Sequence, residues 1–315
     1  MNTHQKLEVI QKTLGLTQTK MADKLGVSFP TLNSWLVGKS KPRAKKDKLI
    51  EELYLEITGQ KQIPGEDLEK KKRILRYKAL GYKNTIQEIL NNPDIRDQFI
   101  LKLTYHSNSI EGSTLTEPDT AAILFNDVAL SQKSLTEHLE AKNHQTALLY
   151  LFDCILNKQK VDENLILKLH SILMNGIRSD AGLYRNHAVR IVGMNLPTTN
   201  YLSISKKMGE LMIFLEESIK VKNFDVIALT TIFHSRFEQI HPFSDGNGRV
   251  GRLLMNALLL AQNIAPAIIR QEKRQLYYTY LYKSQIKEEH SQFEDYICDA
   301  IMDGYLILER EDGNW

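Results

Sequence analysis

The sequence predicts an all-α protein of two domains, interrupted by one small β-hairpin. Three observations carry this expectation. Apolar residues recur every three or four positions through much of the chain, as in Leu135 to Leu156 and Asp225 to Gln239, the spacing that lines one face of a helix. Alternation of the β type is confined to Val189-Arg190-Ile191-Val192-Gly193-Met194-Asn195-Leu196-Pro197, where β-branched residues run into a Gly/Asn/Pro turn. Charge is shared unevenly: residues 1–50 hold ten lysines and arginines against three acids, whereas the other 265 hold 31 against 35. A small basic end is thereby set apart and suits an anionic partner. The expected boundaries are a domain at 1–55, a linker at 56–75 and a larger domain at 76–315.

In the basic end, Thr17 caps a helix ending near Leu25, Gly26 makes a tight turn, Ser28 caps a second helix and Gly38 closes it. That order is helix-turn-helix spacing. It resembles the Cro/repressor type of DNA-binding domain, whose second motif helix enters the major groove. The resemblance implies base-facing or exposed positions at Gln18, Phe29, Pro30, Asn33 and Ser34, and core positions at Ala22, Leu25, Val27, Leu32 and Trp35. Lys39, Lys41, Arg43, Lys45 and Lys46 are placed to meet phosphates. Phe29-Pro30 replaces a polar pair often found there, and a helical protein-interaction module fits the same residues. Gly59, Pro64 and Gly65 among charges then mark the linker, and residues 84–175 return to helical periodicity.

The run His241-Pro242-Phe243-Ser244-Asp245-Gly246-Asn247-Gly248-Arg249-Val250-Gly251-Arg252 concentrates the chemistry. Pro242 ends the helix that begins near Asp225, because proline lacks an N–H and restricts the residue before it. Gly246 and Gly248 permit positive φ or close approach, so amides around Asn247 can converge on an oxyanion. From Arg249 a buried helical pattern resumes, and its N-terminus faces that nest. Asp245 is a hard oxygen ligand placed to hold Mg²⁺ against phosphate oxygens. Arg249 and Arg252, three apart, share one helical face and carry the planar fork suited to phosphate. His241 has the side-chain type that accepts a proton near neutral pH. Gly246, Gly248 and Gly251 also spell a dinucleotide-type glycine pattern, but that motif requires a preceding strand, and a helix precedes here. The run reads as a loop handling a polyphosphate.

His-Pro-Phe-x-Asp-Gly-Asn-Gly-Arg-x-x-Arg resembles the full signature of Fic-domain enzymes, which transfer AMP from ATP to a protein hydroxyl, and the resemblance extends through roughly residues 80 to 305. It implies a Fic helical core with a β-hairpin flap, with His241 deprotonating a target Tyr, Thr or Ser and Asp245 coordinating Mg²⁺. Gly246, Asn247 and Gly248 would cradle the α- and β-phosphates, and Arg249 and Arg252 would contact the β- and γ-phosphates. Retention of Gly246-Asn247-Gly248 separates the chain from the related Doc kinases and favours adenylylation. Gly182-x-Tyr184-Arg185 resembles the lead-in to the flap, expected near 189–201, in which Val192, Gly193, Met194 and Asn195 would lie over the nucleotide and pair with target backbone. Tyr277 and Tyr278 stand where members of the family place aromatics against the nucleoside, with Gln285 beyond; the same tyrosines at this spacing also suit core packing. Ser107-Asn108-Ser109-Ile110-Glu111-Gly112, near 105–112, matches the family's inhibitory pattern, in which Ser107 leads and Glu111 would pair with Arg252 and displace the γ-phosphate.

These implications combine into an ATP- and Mg²⁺-dependent protein adenylyltransferase, restrained by Glu111, acting on an unidentified protein and on itself, and fused to a DNA-binding domain. Two alternatives stand beside it: a transcription regulator whose Fic-like domain senses nucleotide, and an enzyme that removes AMP. No apolar run is long enough to span a bilayer, the first residues are too polar for a secretory leader, and Cys154 and Cys298 are too few for a disulfide framework. A cytoplasmic protein without membrane partners is the expectation, and a homo-oligomer is left open.

Overall fold

A computed structural model describes residues 1–190 and 197–309. Among the described residues every regular element is helical. The helices are α1 (Thr3–Leu14), α2 (Gln18–Leu25), α3 (Phe29–Leu36), α4 (Ala44–Ile57), α5 (Gly65–Leu80), α6 (Thr85–Asn91), α7 (Pro93–Glu111) and α8 (Glu117–Phe125), followed by α9 (Leu135–Leu156), α10 (Glu163–Leu173), α11 (Ile204–Lys220), α12 (Val226–Ile240), α13 (Asn247–Ala261), α14 (Arg274–Lys287) and α15 (Ser291–Leu308). The expected hairpin falls largely on residues 191–196, with Val192, Gly193, Met194 and Asn195, and lies outside the described residues. The chain on either side of it carries no strand, although the Thr198 hydroxyl donates to the Val189 carbonyl at 3.1 Å.

The capping chemistry read from the sequence reappears in the N-terminal domain. Thr17 and Ser28 accept from the third amide of their helices, and Gly26 and Gly38 adopt positive φ. Leu7, Ile10, Met21, Ala22, Leu25, Leu32, Trp35, Ile50 and Ile57 form its core. Lys46 does not stay free for phosphate, since its ammonium caps α2 through the Leu25 and Gly26 carbonyls at 2.6 and 3.2 Å.

The stretch expected as linker is mostly helix. Leu68, Lys72, Leu75 and Ala79 repeat at helical spacing and face the core, so α5 begins at Gly65, and only Thr58–Pro64 connects the domains. The junction is hydrogen-bonded. Lys283 and Gln292 donate to the Gly59 carbonyl at 2.6 and 2.8 Å, and Tyr280 donates to the Glu56 carbonyl at 3.3 Å. These donors add directional side-chain bonds to the chain where it leaves α4.

In the larger domain α12 and α13 pack against each other at the centre, surrounded by α7, α9, α10, α14 and α15. Gly251 allows the close approach, because a Cβ there would stand 2.5 Å from a Glu238 carboxylate oxygen. Both cysteines are buried and unpaired, and no helix among the described residues is long and apolar enough to cross a membrane.

One buried charge ties α5 to this core. The Lys72 ammonium, 4 % exposed, pairs with Asp225 at 2.6 Å and with Glu294, while Asp225 also caps α12 through the amides of Ile227 and Ala228. Removing only the cation leaves two carboxylates facing each other in a poorly solvated site. Lys72→Ala should therefore cost about 3–5 kcal/mol of stability, read from urea unfolding at neutral pH; a change below about 1 kcal/mol would show that the ion pair is solvent-relaxed.

Candidate active site

Helix α12 stops at Ile240 because His241 takes a left-handed conformation (φ 51°, ψ 60°) and Pro242 follows. The turn is rigidly packed. Phe243 is fully buried and stacks on His170 with ring centroids 3.7 Å apart. Asn247 closes the loop on itself, accepting from the Phe243 amide at 2.8 Å and donating to its carbonyl at 2.9 Å. His170 accepts from the Gly182 amide through Nδ1, so its Nε2–H is free to donate to the Asp245 carbonyl at 3.1 Å. Burial lowers its pKa to about 4, which preserves that neutral tautomer.

Helix α13 then starts from Gly246, at φ 78°, with no side-chain cap. Its first amides are left for an external acceptor, and the helix dipole adds to their pull on an anion. A Cβ at Gly246 would meet the end of Met174 at 2.3 Å and one at Gly248 the carboxylate of Glu111 at the same distance, so a side chain at either position would push a neighbour aside, and Gly246 in addition needs its positive φ. Asp245 stands beside the nest with its side chain 53 % exposed and one oxygen accepting from the Gly246 amide at 2.6 Å.

The two arginines differ. Arg249 is buried and pairs with Glu140 at 2.6 Å, with Asp245 further off at 3.4 Å. Arg252 lies across α7: it donates to Ser107 Oγ and to the Ser107 carbonyl, both at 3.0 Å, and pairs with Glu111 at 2.7 Å. Ser107 and Glu111 are four apart and so present both groups on one face. Burial is the largest single influence and opposes the charge on Arg252, but the Glu111 carboxylate together with Tyr277 and Tyr278 holds the guanidinium pKa above its ordinary value. One donor, Nη1, has no hydrogen-bond partner among the described residues.

His241 has its Nδ1 3.3 Å from the Glu238 carbonyl and 4.0 Å from the Glu238 carboxylate. A proton on Nδ1 bonds that carbonyl and leaves the Nε2 lone pair available. Burial lowers the imidazole pKa, with Arg185 acting the same way, and Glu238, Glu111 and Asp245 oppose it.

A cleft of about 1110 Å³ joins these groups. His241, Asp245, Gly246, Asn247, Gly248, Glu111 and Tyr278 line it, whereas Arg249 and Arg252 stand behind its wall. Tyr277 does not reach it: it is buried, bonded to His234 at 2.7 Å and packed on Phe293. Gln285 is likewise interior, donating to the Ser235 carbonyl. Adjacent tyrosines on a helix point about 100° apart, so one of the pair faces the core and the other the cleft. Thr58, Gly59 and Gln60 form part of the opposite wall, a contribution invisible in the sequence because it depends on how the two domains dock. In the N-terminal domain Phe29 is 45 % exposed, Asn33, Lys39 and Lys41 are exposed, and Ser34 bonds Ser40 at 2.7 Å beside the half-buried Gln18.

Residues 160–259 match the Fic/DOC family, and residues 11–54 match a helix-turn-helix family. The chain is similar to the protein adenylyltransferase Fic of Drosophila virilis, 33 % identical over 178 residues, which are 56 % of this chain and 36 % of that protein. It is also similar to the protein of the same name from Nematostella vectensis, 35 % identical over 181 residues, 56 % of this chain and 41 % of the other. The chain thus spans well under half the length of these curated relatives. Its fold is shared with a Fic domain containing signaling protein from Bacteroides thetaiotaomicron, at a TM-score of 0.65 and 21 % identity over 78 % of this chain and 96 % of that one. It is shared equally with Fic-1 from C. elegans, TM-score 0.65 and 21 % identity, over 92 % of this chain and 84 % of the other. The chain thus carries a Fic/DOC domain over residues 160–259 and a helix-turn-helix domain over residues 11–54.

Glu238 is the group that the sequence did not mark. Its carboxyl is buried, one oxygen has no partner, and burial raises its pKa to about 8, with Arg252 opposing and Glu111 adding to the rise. The folded protein holds this proton more tightly than the unfolded chain, whose glutamate titrates near 4.5. Stability therefore falls as pH rises from 4.5 to about 8 and levels off above. Glu238→Gln should remove this component, melting about 5 °C above wild type at pH 8.5 and near wild type at pH 5; parallel melting curves across that range would contradict it.

Proposed function

We propose that this protein transfers AMP from ATP to a hydroxyl side chain of a protein target, itself included, and that Glu111 restrains the reaction. The observation that carries the reading is the meeting of three things in one cleft: the uncapped start of α13, the His241 imidazole and a carboxylate already seated on Arg252. The polyphosphate of ATP would occupy the amides of Asn247 and Gly248, where a helix N-terminus favours negative charge. Asp245 suits Mg²⁺ as a single exposed carboxylate beside that nest. An ion held by one carboxylate takes its remaining ligands from phosphate oxygens and water. When bound, the ion would supply charge neutralisation to the leaving pyrophosphate.

The target oxygen attacks the α-phosphorus in line as the bond to the β-phosphate oxygen breaks, and the hydroxyl proton passes to Nε2 of His241. Burial keeps the imidazole unprotonated near neutral pH, and Nδ1–H to the Glu238 carbonyl fixes the required tautomer. Arg252 is the natural partner of the γ-phosphate, so Glu111 competes with ATP for the same guanidinium and holds the resting enzyme at low activity. The N-terminal domain supports DNA binding through the α3 face and the exposed Lys39 and Lys41.

Two measurements test these parts. With α-labelled ATP and Mg²⁺, Glu111→Gly should raise self-labelling at least about tenfold, and His241→Ala in that background should lower it by about 10²–10⁴; equal labelling of wild type and Glu111→Gly removes the restraint, and no transfer by either removes the activity. In titrations of duplex DNA against salt, the pair Lys39→Ala and Lys41→Ala should reduce the slope of log affinity on log salt by about 2, whereas an unchanged slope would clear these lysines of phosphate contact.

A further inference from the structure

The turn that presents His241 is held by a group outside it. Left-handed φ at a non-glycine residue costs on the order of 1–3 kcal/mol and persists only where the surroundings impose it. A helix usually closes such an end with backbone amides of the residues that follow, but Pro242 has no N–H to give. The last backbone bond of α12 runs from the His241 amide to the Phe237 carbonyl at 3.0 Å, and the carbonyls of Ile240, His241 and Pro242 lie beyond it.

Arg185 donates to all three. Its Nε donates to the His241 carbonyl at 2.7 Å, its Nη2 to the Ile240 carbonyl at 3.5 Å, and its own amide to the Pro242 carbonyl at 3.0 Å. The same guanidinium reaches the chain on both sides of residues 191–196, through Nη1 to the His187 carbonyl at 2.7 Å and Nη2 to the Thr199 carbonyl at 2.5 Å. Arg185 is 3 % exposed, and among the described residues no carboxylate lies within ion-pair distance of it. A buried cation without a counter-charge is expensive, and among the described residues it is compensated by carbonyl dipoles, two at the C-terminal end of α12 and two in the chain around 187 and 199.

We infer that Arg185 is the positioning residue of His241: it ties down the carbonyls that follow the last backbone bond of α12, holds the left-handed turn, and so aims the imidazole at the acceptor oxygen above the phosphate nest. This rests on the transfer activity proposed above. Only a planar fork with several fixed N–H directions can serve carbonyls on three separate segments at once, so a lysine, with one compact ammonium, is not an equivalent. Arg185 touches neither nest nor nucleotide wall, and its loss should disturb catalysis while sparing nucleotide affinity.

The test uses the full chain in the Glu111→Gly background, with Arg185→Lys and Arg185→Gln compared against that parent. Calorimetric titration with ATP and Mg²⁺ should give affinities within twofold of the parent, while single-turnover self-labelling at saturating ATP falls by about 10²-fold in both variants. Amide hydrogen exchange should rise together in peptides covering 186–190 and 239–244 and stay unchanged across 247–261. Transfer within fivefold of the parent overturns the assignment, and so does a parallel loss of affinity and rate, which would mean general loosening of the cleft. Should the parent itself transfer nothing, the activity fails separately, and the exchange readout still decides the clamp: unaltered exchange at 239–244 overturns it.

Discussion

The reversal of the chain between α12 and α13 is the constraint on which the rest of the site depends. A helix end leaves carbonyls without donors and a helix start leaves amides without acceptors, and six residues here separate one from the other. The carbonyl side is satisfied internally by Arg185, with the His170–Phe243 stack and the Asn247 side chain holding the loop in shape. The amide side is left uncapped. That asymmetry turns a structural necessity into an anion site, with the imidazole of His241 carried on the same turn.

Around this turn the charges are arranged in competition. Arg252 is shared between Ser107 and Glu111 on α7 and lies near Glu238 on α12, so a buried guanidinium faces one carboxyl group at the cleft surface and one in the interior. Glu111 is partly exposed and wins the pairing, while buried Glu238 keeps its proton into the neutral range. In a medium of low effective dielectric such neighbours cannot all be ionised at little cost. A ligand bringing further negative charge to Arg252 therefore has to displace a partner already in place.

The N-terminal domain is not merely tethered. Its last helix ends against α14, and Thr58 to Gln60 form a wall of the same cleft that His241 and Tyr278 line. Side chains of α14 and α15 add hydrogen bonds to the chain where it leaves α4, so the docking is specified by directional contacts as well as by the packing of Leu276 on the small core. Any ligand of the cleft and any ligand of the helix-turn-helix thus bear on one continuous framework.

Local chemistry was legible in the residues themselves. Caps at Thr17, Ser28 and Asp225, the break at Pro242, the glycine nest and the face shared by Ser107 and Glu111 follow from short-range geometry, in which proline, glycine and side-chain acceptors have few alternatives. What depends on distant segments was not legible: the docking that makes Thr58–Gln60 a cleft wall, the inward turn of Tyr277, the pairing of Arg249 with Glu140, and the burial that alters Glu238. The sequence by itself determined the loop from His241 to Gly248 and how the helices around it begin and end, because those are contacts within a few residues. Only the tertiary structure decided which groups are desolvated, paired or exposed, because burial and electrostatic partnership arise from elements more than a hundred residues apart, as Arg252 and Glu111 are.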